Sequence, residues 1–169
     1  MSFGKSFIVS FVALVVLNAV VFTIFYAIGY GFDNFVTGIL PNVSYLLYVL
    51  FSSTAHAIWY IVDILAYSVG TDPISWDFFL LNLGFIIAPL IAAVITGRFS
   101  EKRVHAFAGF FLSAIICMLV SIIILYQGFA YQVLLAGEFY QTPALMKVIF
   151  GSLVNGLIYG TIAYLTTKK

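Results

Sequence analysis

The sequence predicts an all-α integral membrane protein: a compact bundle of four transmembrane helices plus one extra helix that is membrane-embedded or interfacial. Two observations carry this. Five apolar stretches, residues 6–30, 43–69, 78–97, 106–126 and 148–166, run through a chain of 169 residues, and each is close to or longer than the ~20 residues a helix needs to cross a ~30 Å hydrocarbon layer. The composition, 64% hydrophobic and 8% charged, lies far outside the soluble range of about 45–50% apolar and about 25% charged. The whole chain, 1–169, reads as a single polytopic membrane domain of the cell membrane.

The first stretch follows Lys5 and reaches Tyr30. A cleaved secretory signal has an apolar region of only about 7–15 residues, so this is read as a retained first span.

The second stretch, 43–69, is ambiguous. Lys and Arg are retained in the cytoplasm, and Arg98, Lys102 and Arg103 form one basic loop while Lys168 and Lys169 end the chain. Two spans separate those clusters, so both belong on one side, with the C-terminus cytoplasmic. If 43–69 does not cross, the protein has four spans, the N-terminus is cytoplasmic, and only Lys147 among the basic residues is outside. The alternative, five transmembrane helices, moves Lys5 and the N-terminus outside. Lys5 tips the reading to four spans, and Asn42-Val43-Ser44, an N-glycosylation pattern, is outside only in that version. The loop 127–147 then lies outside with Glu138, Phe129, Tyr131, Phe139 and Tyr140, aromatics suited to the membrane surface.

The last three stretches carry small residues at every fourth position. Gly84, Ala88, Ala92 and Thr96 share one face of the third; Gly109, Ser113, Cys117 and Ser121 do so in the fourth; Ser152, Gly156 and Gly160 in the fifth. Such stripes let helix backbones approach closely, and they predict that these three helices cluster tightly. Pro89 is expected to bend its helix by removing a backbone hydrogen bond. Asn18 and Asn155 fall near mid-span, where an unpaired amide is costly, so each is expected to bond to another helix. Cys117 is the only cysteine and reads as a packing residue.

One polar stripe stands out. Ser52, His56, Tyr60, Asp63 and Tyr67 follow steps of four, four, three and four within 43–69, one face of a continuous helix. Ionisable groups at membrane depth are functional candidates, and His56 with Asp63 suggests a proton or cation relay. The competing reading is the wet face of an interfacial helix anchored by Trp59, Tyr60 and Tyr67. One histidine and one distant carboxylate fall short of the three or four protein ligands of a zinc site, so no metal is expected.

The basic loop, Gly97-Arg98-Phe99-Ser100-Glu101-Lys102-Arg103, resembles over seven residues a short cytoplasmic loop of major facilitator transporters. Val104 and His105 stand where that motif continues with Gly-Arg-Arg, and the chain has less than half that family's spans. We read it as a basic turn obeying the cytoplasmic bias of Lys and Arg.

No nucleophile–base set, phosphate loop or cofactor motif is present, so neither enzymatic activity nor a cofactor is expected. The net charge of +1, without a long basic patch, gives no footprint for nucleic acid. The expected partners are membrane lipid and other membrane-protein subunits or further copies of the chain. The function expected first is a structural or accessory subunit of a larger membrane complex, recognised through helix faces. A small transporter or channel for protons, cations or a small solute, built on the polar stripe, is the alternative.

Overall fold

In the computed structural model, residues 2–56, 58–70, 73–126 and 141–168 are described. Glu138 and the loop aromatics Phe129, Tyr131, Phe139 and Tyr140 lie outside them. Helix α1 spans Phe3–Tyr30, and two short turns follow, α2 at Phe32–Asn34 and a π-helical turn at Phe35–Ile39. After α3 at Val43–Phe51 come a 3-10 turn at Ser52–Thr54 and α4 at Ile58–Gly70. The chain closes with α5 at Trp76–Phe99, α6 at Arg103–Tyr126 and α7 at Gln141–Thr166.

Helices α1, α5, α6 and α7 are each long and apolar enough to cross a membrane. They form a ring in the order α5, α1, α6, α7. At one end the Ser100 hydroxyl donates to Ser6 Oγ at 3.0 Å, and further along Gly84 of α5 faces Val21 and Phe25 of α1, so these two helices are antiparallel. Gly109 of α6 meets the α1 backbone at Ser6 and Phe7, about 3.0 Å from where a Cβ would stand. Gly156 and Gly160 of α7 fit against Phe111 and Phe107 of α6.

These contacts revise the expected cluster of the last three helices. Gly84 of the α5 stripe and Gly109 of the α6 stripe pack against α1, whose own inward face is Ser6, Ser10, Leu14 and Asn18. The bundle is therefore four-membered, and α5 and α6 sit diagonally across it. Its centre is filled by Leu14, Ala92, Ala93, Ala106, Phe110, Cys117, Tyr159 and Ala163. Helix α5 runs on through a buried Pro89, leaving the Phe85 carbonyl without its helical partner.

Because α1 and α5 are antiparallel, residues 31–75 leave and rejoin the bundle at the same end. Lys5, Arg98, Lys102, Arg103 and Lys168 all gather at the opposite end, where the Arg103 guanidinium lies 5.5 Å from the centre of the Tyr164 ring. Gly31 starts the excursion at φ 89°, a left-handed conformation that only glycine takes without strain. The chain then bends by 116° between the segments Phe32–Ile39 and Val43–Thr54, held by Phe35, Ile39 and Val49 packing on Phe22 and Tyr26. The Asn42 side chain starts α3 by accepting from the amides of Ser44 and Tyr45 at 3.0 and 3.3 Å. Such a cap is worth about 1 kcal/mol.

The stretch 43–69 is thus not one helix. It breaks at residues 52–56, where Ser52 Oγ donates to the Tyr48 carbonyl and the run Ser52-Ser53-Thr54 places three hydroxyls that compete with the helical backbone. From the break, α4 returns along α5, where Ile61 packs with Phe85 and the Ser75 amide donates to the Ser68 carbonyl at 3.2 Å. The segment is a helical hairpin whose tip lies among α5, α6 and α7.

Candidate functional site

The hairpin tip is the most polar part of the interior. Ser52, Ser53, Thr54 and His56 are all buried there, in a stretch where the helical ladder is interrupted and backbone carbonyls need other donors. Two mid-span asparagines provide them. From α1, Asn18 Nδ2 donates to the Leu50 carbonyl at 2.7 Å. From α7, Asn155 Nδ2 donates to the carbonyls of Thr54 and His56 at 3.0 and 2.5 Å. Both asparagines therefore bond across helices, and both bond to the same break.

His56 is fixed by its own neighbours. A carbonyl can only accept, so Nδ1 carries the proton it donates to the Ser52 carbonyl at 2.9 Å. That leaves Nε2 to accept from the Tyr48 hydroxyl at 3.2 Å. The imidazole also stacks on Phe85, with centroids 4.5 Å apart and planes at 14°. The neutral ring is satisfied at both nitrogens.

Ser52 and His56 of the predicted stripe do not share a face with Asp63 and Tyr67. The break at 52–56 separates the two halves of the hairpin, so Ser52 and His56 are buried in the tip while Asp63 and Tyr67 face outward from α4. Tyr60 is carried by α4 as well. A relay along a single helical face is not built. The small-residue positions, by contrast, are all inside: Gly84, Ala88, Ala92, Thr96, Gly109, Ser113, Cys117, Ser121, Ser152, Gly156 and Gly160 are buried.

Several buried oxygens around the tip lack partners: Ser53 Oγ on the tip itself, Ser121 Oγ on α6, and Ser152 Oγ and Asn155 Oδ1 on α7. The Thr54 hydroxyl lies beside the Cys117 thiol, a weak donor, and makes no other hydrogen bond. Among the described residues no three of His, Cys, Asp or Glu come together as metal ligands. Two features were readable but not singled out in the sequence. Ser6, Ser10, Leu14 and Asn18 recur every four positions in α1, and Ser52-Ser53-Thr54 is a run of helix-competing hydroxyls.

The fold and its site define the class, an all-helical bundle with four helices long and apolar enough to cross a membrane and an inserted hairpin. Comparison with protein families, curated proteins and solved structures finds no match.

Proposed function

We propose that the chain is a four-span membrane protein with its basic end in the cytoplasm and its hairpin dipping into the bilayer from the outer face, serving as a structural or accessory subunit of a larger membrane assembly. The topology is supported by the shared end of residues 31–75 and by the gathering of basic side chains opposite. Labelling intact cells with a membrane-impermeant thiol reagent checks it. Gly38→Cys, exposed beside the hairpin, is expected to react, and Lys5→Cys is not; the reverse pattern would overturn the topology.

The subunit reading rests on one observation: the mid-span amides and the imidazole are used to hold the hairpin, whereas the bundle surface is mostly apolar. On α1, Ile8, Val12, Val16, Val20, Ile24 and Ile28 form an exposed ridge opposite its buried polar face. What such a molecule offers to others is helix surface. Extraction into mild detergent is expected to recover stoichiometric membrane-protein partners, and recovery of the chain alone would count against the reading.

The unpartnered oxygens at the tip favour a second reading, a small transporter or channel, because broken helices meeting at mid-membrane are what transport sites are built from. In that case reconstituted vesicles would pass protons or monovalent cations, and Asn155→Leu would stop the flux.

A further inference from the structure

Asp63 is the most exposed to misfortune of all the polar groups that the hairpin carries into the bilayer. It lies on α4 five residues inward of Ser68, whose carbonyl receives the Ser75 amide at the outer end. At 1.5 Å per residue that is about 7.5 Å below Ser68, and α4 continues beyond it to Gly70. Tyr67, one turn further out, is 71% exposed, and Trp76 at the start of α5 is 59% exposed. Aromatics of this kind mark the membrane surface, so Asp63 sits about a turn inside it. A short carboxylate side chain cannot reach back to water as a lysine does. Its neighbours on that face are Val62, Ala66, Tyr67 and Val69, all exposed, and no described residue pairs with it.

The chain has little to offer Asp63 itself. Residues 127–140 contain no Lys or Arg. The only basic residue outside the opposite end is Lys147, which already makes an interaction of its own. A second copy would bring the same meagre set. We propose that the α4 face formed by Val62, Asp63, Ala66 and Tyr67 docks a transmembrane helix of a different protein, one that carries a lysine or arginine in its outer half against the Asp63 carboxylate. The argument is charge complementarity in a medium where an unmatched charge is costly, with Ala66 letting the incoming backbone approach. The proposal rests on the subunit reading and adds the face and the chemistry of the partner.

The test uses the full chain in phosphatidylcholine nanodiscs and synthetic leucine-alanine helices of about 22 residues, with energy transfer reporting association. One helix carries a single lysine about two turns below its outer end, and its control carries leucine there. The lysine helix is expected to bind about tenfold more tightly. Asp63→Asn should abolish that preference, and Asp63→Lys should transfer it to a helix bearing glutamate. Equal binding of lysine and leucine helices, or no change in Asp63→Asn, would overturn the proposal. So would a homo-oligomer that dissociates in Asp63→Asn, which would assign the face to a second copy. If natural partners co-purify undiminished with the Asp63→Asn protein, the subunit reading stands and this face is wrong; if none co-purify with the wild-type chain, the subunit reading itself falls.

Discussion

Gly97→Ala is expected to destabilise the bundle by about 3 kcal/mol, at the upper end of the cost of overpacking a close-packed interior. A Cβ at Gly97 would overlap both Thr166 Oγ1 and the carbonyl oxygen of Ala163. The Thr166 side chain can rotate away, but the Ala163 carbonyl belongs to the α7 backbone and can move only with its helix. Accommodation therefore means separating α5 from α7 at the basic end. Unfolding by sodium dodecyl sulfate titrated into mild detergent measures the loss. Gly4→Ala is the control: it lies in α1 with nothing within 4 Å of the added methyl, so stability should hold or rise slightly. Equal behaviour of the two variants would refute the close approach of α5 and α7.

Asn155→Leu is expected to cost about 2 kcal/mol and to loosen the hairpin in particular. Interhelical hydrogen bonds in membranes average only about 0.6 kcal/mol when removed, because the freed groups find other partners. Here the side chain serves two carbonyls at once, those of Thr54 and His56, in a break where no helical amide can replace it. Leaving buried acceptors unsatisfied costs about 1–3 kcal/mol, so the larger figure governs. Hydrogen exchange distinguishes this from general weakening. Amides at 52–58 should exchange much faster in Asn155→Leu while those in the middle of α6 change little, and uniform acceleration would show that Asn155 merely supports the bundle. Asn18→Leu, which frees a single carbonyl at Leu50, should have the smaller effect of the two.

The four long apolar helices were legible because hydrophobic length is a property of the sequence alone. The packing stripes were legible for the same reason, since a small residue every fourth position defines a helix face before any partner is known. What the stripes could not show was which helix each face meets. Gly109 fits against Ser6 and Phe7, more than a hundred positions away in the chain, and periodicity says nothing about such pairings. Gly97 shows a further gap: it lies one residue beyond the Thr96 end of its stripe and reads as part of a basic turn, yet its surroundings are tighter than those of Gly84, Gly109, Gly156 or Gly160.

The polar stripe misled for a definite reason. Ser52, His56, Asp63 and Tyr67 share a face only if the helix is continuous, and hydropathy registers no interruption between Val43 and Gly70 because the residues on both sides are equally apolar. The break depends on Ser52 bonding back to Tyr48 and on asparagines from α1 and α7. Those two asparagines were correctly expected to join helices, but their common target was not visible.

The lock on the hairpin also imposes an order on biosynthesis. Asn155 and Thr54 are separated by 101 positions, so when the ribosome has delivered the hairpin to the translocon its final clasp has yet to be made. Until α7 emerges, Asn18 of α1 is the one mid-span amide on the nascent loop, beside the apolar contacts of Phe35, Ile39 and Val49 with α1 and of Ile61 with α5. A chain stalled before α7 would hold an open seam at mid-bilayer, a natural mark for quality-control proteases to find.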